Sequence, residues 1–367
     1  MTLKDQILKN KVIKKIKKFM KIIIIGAYPP PIGGITVHVK RLFDALRDKG
    51  HQVEVFDFGG KPSPQKPVEV LSTFPAILKG LFSSKWNKQE DSLLHVHVSA
   101  MGKFRWIGPI LITIFRNYPK VITIHSGSFI KNIEKTLISG YVRWLLGTFD
   151  QIITVSKEQK DYLLNWGIPD EKIEIIPAFI SQKPNSEVLP GSVETILKEK
   201  EVLVLTSGYL TPLYNYDVLI SAIEKLPADK FGFIFAVYHQ YDPEYERKII
   251  ARLSYLENVM LLRDLTPEVY LQVVNNCQIY VRATLRDGDS VAIREALQMG
   301  KTVFASDVVQ RPAACQLFSA QDPGSLLNLF QKGQLQSPSP EAAGRPAGIE
   351  PILNVYLKAR AYFQSKR

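Results

Sequence analysis

The chain has 367 residues, 46% of them hydrophobic and 22% charged, a composition ordinary for a globular protein and a length that favours two domains over one. Its net charge is +12, but the first 21 residues hold eight lysines against Asp5, so the remainder is only mildly basic, which argues against a broad nucleic-acid surface. Cys277 and Cys315 have neither metal-ligand spacing nor a disulfide framework, and there is neither an apolar run long enough to span a membrane nor the uninterrupted core of a signal peptide, so a reducing cytoplasm is the expected setting.

Residues 1–20 place Leu3, Ile7, Leu8, Val12, Ile16, Phe19 and Met20 at near-helical spacing, with lysines on the other side. Such a helix either lies on an anionic membrane face or forms a solvated or self-docked extension. Lys21 to Gly26 reads as a strand whose four consecutive isoleucines imply burial on both faces, as in a parallel sheet. A loop with Gly33 and Gly34 leads to a helix over Ile35–Lys49, and Gln52–Phe58 is the second strand. A helix is expected over Val68–Phe82, and Leu93–Val98 is a strand carrying His95 and His97 on one face. These two read as histidines packed at a strand end, because no third ligand is evident. The alternation continues with helix Phe104–Arg116, strand Val121–His125, helix Ile130–Thr148, strand Gln151–Val155, helix Lys157–Trp166 and strand Ile173–Pro177. Each strand-then-helix unit implies a right-handed parallel crossover. The polar stretch Ser181–Gly191 reads as a linker.

A second series begins at Glu201, with strands Val202–Ser207, Phe231–Val237 and Met260–Leu262 followed by helices Tyr216–Lys225, Pro243–Leu256 and Pro267–Asn275. Then come strand Ile279–Thr284, the turn Asp287-Gly288-Asp289-Ser290, helix Val291–Met299 and strand Thr302–Ser306. Asp289 or Ser290 is the expected N-cap, and Gly300 the helix stop. Ile349–Phe363 is a last helix. The expected organisation is a basic helix over 1–20, Rossmann-like domains over 21–185 and 195–332, and a loose connection with a C-terminal helix over 333–367. The expected fold class is α/β, two doubly wound domains facing a cleft, with ligands beyond the carboxyl ends of the strands.

Three loops at strand ends carry candidate chemistry. Gly33-Gly34 lets a backbone approach a ligand closely, although the third glycine and later acid of a dinucleotide fingerprint are missing. His125, followed by Ser126-Gly127-Ser128, can bond a hydroxyl or act as a base. The turn at 287–290 opens a helix, so its free N–H groups and the helix dipole suit a phosphate, while Asp287 and Glu295 suit hydroxyls or amides. An ordinary crossover with a capped helix is the competing reading of that turn.

The order of these features, Gly-Gly-x-x-x-His, strand-His, linker, then Asp-Gly with a glutamate eight positions after the aspartate, resembles the GT-B glycosyltransferases. More narrowly it is similar to retaining enzymes of glycosyltransferase family 4, the group 1 type, from Lys21 to about Leu329. Val155-Ser156-Lys157, Ile175-Ile176-Pro177 and Ala305-Ser306-Asp307 belong to the resemblance, and the D-G-D-S-V-A-I-R-E-A-L wording looks like a branch found in bacterial surface-polysaccharide clusters. The family's first glutamate is replaced here by Asp287. The resemblance implies a nucleotide-sugar donor, a saccharide or lipid-linked acceptor, no cofactor and no metal. It implies that Glu295 holds ribose hydroxyls, that Asp287 contacts donor-sugar hydroxyls and that His125 bonds the donor sugar near the reacting centre. Gly33 and Gly34 would lie beside the phosphates or the acceptor, and Gly208, Gly288, Asp289, Ser290 and Val291 complete the expected donor contacts.

One departure stands out. The family usually carries an arginine and a lysine after the first strand of the second domain, where this chain has Tyr209 and Tyr214. Arg282, Arg286 or Arg294 could supply the missing charge, with Arg282 preferred because it ends the strand. Otherwise the branch handles its donor differently, or the protein is an inactive binding subunit. A sugar-nucleotide epimerase on the same fold is the other enzyme reading.

Overall fold

A computed structural model describes residues 20–57, 68–71, 92–99, 101–125, 139–177, 189–333 and 348–367. The expected helix over 1–20, except Met20, lies outside the described residues, as do most of the expected helix over 68–82, residues 126–138 and 178–188, and the connection over 334–347. The chain forms two compact units. The first takes in the described residues of 1–31, 35–180 and 347–367, and the second those of 32–34 and 181–346.

In the first unit the chain runs β1 (Lys21–Ile25), α1 (Gly34–Asp48), β2 (Gln52–Asp57), β3 (Glu69–Val70), β4 (Ser92–Val98), α2 (Met101–Ile114), β5 (Lys120–Ile124), α3 (Ser139–Gly147), β6 (Gln151–Thr154), α4 (Lys157–Asn165) and β7 (Ile173–Ile175). The strands form one parallel sheet in the order β3-β2-β1-β4-β5-β6-β7. The isoleucine run of β1 explains how the sheet is covered. Ile22 and Ile24 pack with Val39, Leu42 and Leu46 of α1, while Ile23 and Ile25 pack with Phe104, Leu111 and Leu145 on the other face. One strand thus anchors two cores, because successive side chains point to opposite faces.

The second unit runs α5 (Gly191–Glu199), β8 (Val202–Leu210), α6 (Tyr216–Ile223), β9 (Phe231–Tyr241), α7 (Pro243–Leu253), β10 (Val259–Arg263), α8 (Pro267–Asn276), β11 (Ile279–Arg282), α9 (Val291–Gln298), β12 (Thr302–Ser306), β13 (Gln316–Phe318) and α10 (Pro323–Gln331). Its sheet is also parallel, in the order β10-β9-β8-β11-β12-β13. Asp242, Thr266 and Asp322 cap α7, α8 and α10, each followed by a proline in the first turn whose missing N–H costs nothing there. The final helix, α11 (Glu350–Ser365), returns to the first unit and buries Ile352, Leu353 and Tyr356 against the same core as Ile22 and Val39. Lys49 and Lys358 pair with Glu350 and Glu174 at its edges.

The structure departs from expectation in a few elements. Glu69–Val70 is an edge strand on β2, at the place where a helix is expected to begin, because the open edge of β2 accepts it in register. Helices α5 and α10 and strand β13 were not anticipated. The strands expected over 121–125 and 279–284 end at Ile124 and Arg282, leaving His125 and Thr284 in the loops beyond. Among the described residues no helix is long and apolar enough to cross a membrane.

Candidate functional site

The stretch from Arg282 to Asp307 begins at a central strand of the second sheet, since β11 lies between β8 and β12. Ser290 caps α9, its hydroxyl accepting from the Ile293 N–H at 3.5 Å, and Gly300 follows the helix with φ +71°. Of the two expected caps the serine takes the role, while Asp289 pairs with Arg294 at 2.6 Å.

Asp287 is the centre of a buried charge network. Its carboxylate accepts from Arg282 Nε at 2.9 Å and Nη2 at 3.2 Å, from Arg311 Nη1 at 2.8 Å, from Thr284 Oγ1 at 3.2 Å and from the Gly288 N–H at 3.0 Å. Arg282 also donates to the Ser207 carbonyl at 3.2 Å, and Arg311 to the Ser306 carbonyl at 3.1 Å. The ends of β8, β11 and β12 are therefore tied together through two guanidiniums on one carboxylate. Burial alone would raise the Asp287 pKa, but Arg282 and then Arg311 outweigh it and hold the group at about 2. Two arginines against one aspartate leave the cluster with a formal excess of one positive charge. Arg311 was not foreseen from the sequence, being remote in the chain and placed by the loop after β12.

Tyr209 and Tyr214, which stand where the resemblance implies two cations, are neutral. Burial pushes the Tyr209 hydroxyl up to about 12 and raises that of Tyr214. Their rings meet edge-on with centroids 5.3 Å apart, and the Arg282 guanidinium lies 5.0 Å from the Tyr214 ring centre. Gly208 makes room for this. A Cβ there would meet the Tyr214 ring at 1.9 and 2.0 Å, so no other residue fits beneath the ring as it stands. Tyr214 thus supports the arginine that was expected to replace the missing charge. Arg286 is exposed, and Arg294 is held by Asp289.

Glu295 lies on the inner face of α9 and is 4% exposed. Burial raises the pKa of Tyr238 and Tyr270, and the Glu295 charge raises both further, so these hydroxyls stay protonated. Ser207 Oγ is 2.9 Å from Tyr280 Oη and 3.2 Å from Tyr270 Oη, so hydroxyl groups gather at the end of β8.

In the first unit, His125 follows β5, its N–H donating to the Val98 carbonyl at 2.9 Å. Its Nε2 is 2.9 Å from His97 Nδ1. His95 is held between Tyr356 Oη at 2.8 Å and Thr123 Oγ1 at 2.7 Å. His38, on α1, completes the cluster with its ring centre 5.0 Å from that of His125. Burial drives the His95 pKa down to about 3 and holds His97 and His125 well below the usual value, so these rings are neutral at physiological pH. Ring nitrogens of His38, His97 and His125 lie within 4.8 Å of one another, a group that leaves out His95, whose two nitrogens are taken by Tyr356 and Thr123. The signal was present in the Gly-Gly-x-x-x-His spacing, but only the adjacency of β1, β4 and β5 brings the three rings together. The His97–His125 bond engages one nitrogen of each ring, and three neutral imidazoles at this spacing are also a set that could hold a metal ion. Gly34 opens α1, and a Cβ on it would meet nothing within 4 Å, so packing inside the protein does not demand glycine there.

Residues 32–182 match the sequence family Glycosyltransferase Family 4. No curated protein matches the chain in sequence. Among solved structures, sucrose-phosphate synthase from Thermosynechococcus elongatus is 18% identical with a TM-score of 0.67, covering 94% of this chain and 98% of its own. Anabaena Alr3699/HepE, solved in complex with UDP-glucose, is 16% identical with a TM-score of 0.68, covering 94% of this chain and all of its own. A glycosyltransferase from Rickettsia africae is 15% identical with a TM-score of 0.61, covering 95% and 97%. The chain thus shares the GT-B fold of these structures, and its residues 32–182 are similar to Glycosyltransferase Family 4.

Proposed function

We propose that the protein transfers a sugar from a nucleotide-sugar donor to a saccharide or lipid-linked acceptor, with retention of anomeric configuration, in the assembly of a bacterial surface polysaccharide. The observation that carries this reading is the turn between β11 and α9, which joins a helix N-terminus, a buried glutamate on the same helix and two arginines sharing one aspartate. Support also comes from the Family 4 match and from the fold shared with HepE, which was solved with UDP-glucose.

Glu295 binds the ribose hydroxyls, and the N–H groups of Gly288 to Val291 receive the diphosphate, where the helix dipole favours negative charge. Asp287 takes a different part from the one the family resemblance implies. A carboxylate has about four lone-pair sites, and this one already accepts from five donors, so it acts as a positioning residue that aims Arg282 and Arg311. The excess positive charge of that cluster then does the work of the missing cations, stabilising the diphosphate as it leaves. Gly33 and Gly34 leave backbone room beside the donor, whereas the space at Gly208 is taken by the Tyr214 ring that supports Arg282. The neutral His125 bonds a donor-sugar hydroxyl. The acceptor hydroxyl attacks the anomeric carbon on the face from which the diphosphate departs, and a phosphate oxygen takes its proton. This reaction needs no metal and no cofactor. Residues 1–20 would hold the enzyme at the cytoplasmic membrane face.

Nucleotide binding and turnover separate the readings. His125→Ala is expected to lower sugar transfer at least about a hundredfold while nucleoside diphosphate affinity changes little. A wild-type protein that binds nucleotide sugar, releases no nucleotide with any acceptor and interconverts no sugar would be a binding subunit, the reading favoured by Tyr209 and Tyr214. Sugar interconversion without release would mark an epimerase.

A further inference from the structure

Two helices of the first unit present aromatic rings that the fold does not bury. Trp106 on α2 is 69% exposed, and Trp144 and Tyr141 on α3 are 55% and 37% exposed. Rings of this size contribute most when buried, so three together at the surface call for an occupant. The helices are clamped against each other. A Cβ on Gly108 would meet Leu145 Cδ2 at 2.8 Å, and Tyr141 Oη donates to the Arg105 carbonyl at 2.5 Å. Tyr141 and Trp144 stack with centroids 5.9 Å apart, and the Arg105 guanidinium lies 5.4 Å from the Trp106 ring.

Charge on the same segment has one sign. The charged residues of α2 and α3 are Lys103, Arg105 and Arg143, and neither helix contains an acid. Arg105 and Arg143 are exposed beside the aromatic rings. Arg143 lies across Gly167, where a Cβ would meet its Nη2 at 2.7 Å, at the edge of a hollow of about 500 Å³ that Trp144 and Lys172 also line.

We propose that the α2–α3 face docks on an anionic lipid bilayer. Trp106, Trp144 and Tyr141 enter the headgroup layer, and Arg105 and Arg143 pair with lipid phosphates. Amphipathic rings settle at the boundary between hydrocarbon and water, and guanidiniums match phosphate oxygens in pairs. A second copy of the same face would set arginine against arginine, which disfavours a symmetric dimer through it. The face is built from residues other than 1–20 and would give a second attachment. Stable peripheral binding generally requires two such signals, since a single weak anchor exchanges readily.

The test uses the full chain with phosphatidylcholine vesicles, with and without phosphatidylglycerol, and with brominated acyl chains as tryptophan quenchers. The protein is expected to sediment with phosphatidylglycerol vesicles and to lose fluorescence to the brominated chains. Arg105→Glu with Arg143→Glu should weaken binding by about tenfold or more. Trp106→Phe with Trp144→Phe should keep the melting temperature and lose most of the quenching, a difference legible among four tryptophans. Absence of vesicle binding by the wild type would overturn the proposal. So would unchanged binding by the arginine variant or unchanged quenching in the tryptophan variant, either of which places the contact elsewhere. Self-association that the arginine variant abolishes would assign the face to another copy of the chain instead.

Discussion

Asp287 shows how one side chain decides the character of a site. Its side chain is 11% exposed and holds Arg282 and Arg311, which are 12% and 2% exposed, so removing its charge strands two guanidiniums away from water. Asp287→Asn is expected to destabilise the second unit by about 3–5 kcal/mol, the usual cost of breaking a buried pair from one side, measured by denaturant unfolding. The pH dependence has a definite sign. A carboxyl held at about 2 when folded and near 3.9 when unfolded contributes stability above the unfolded value and loses it as pH falls towards 2. Wild type should therefore lose stability through that window, and the asparagine variant should lack this component. The histidines act in a higher window. His95, His97 and His125 are kept neutral by burial, so below about pH 6.5 the unfolded chain binds protons that the folded chain refuses. The melting temperature should fall as pH is lowered from about 6.5 towards 5. A flat profile over that range would contradict neutral, buried imidazoles.

At the scale of elements, the turn and helix of the candidate site were legible because their signals are local. A polar turn before an apolar helical stretch is a readable N-terminus, as Ser290 and Gly300 bear out, whereas the pairing of Asp287 with Arg282 was not read, although only five positions separate them. What could not be read came from sheet order. His38, His97 and His125 meet only because β1, β4 and β5 are neighbours, and Arg311 reaches Asp287 only because β12 lies beside β11. Edge elements were the other blind spot. A two-residue strand such as β3 has no periodicity of its own and exists because β2 offers an open edge. The close approach of β8 to the short turn after it makes a further prediction. Gly208→Ala would drive a methyl into the Tyr214 ring, displace that ring from Arg282 and destabilise the fold by about 1–3 kcal/mol. Weaker nucleotide binding should accompany the loss, and a variant with unchanged melting temperature and affinity would show that the tyrosine support is dispensable.

At the scale of the whole molecule, two parallel sheets with the strand order of doubly wound folds were foreshadowed by buried β-branched runs alternating with amphipathic helices. The return of α11 to the first unit was not, because a helix pattern does not reveal which core it covers. The central claim is that the second unit is built to bind a nucleotide sugar through α9 and the arginine cluster. Isothermal titration of wild type and Glu295→Gln with a panel of nucleoside diphosphates and their sugars tests it most directly. At least one nucleotide should bind wild type saturably and lose at least about tenfold in affinity in the variant, with the melting temperature of the free variant close to wild type. If no member of the panel binds wild type, or if Glu295→Gln binds as tightly, the turn after β11 is an ordinary crossover and not a donor site.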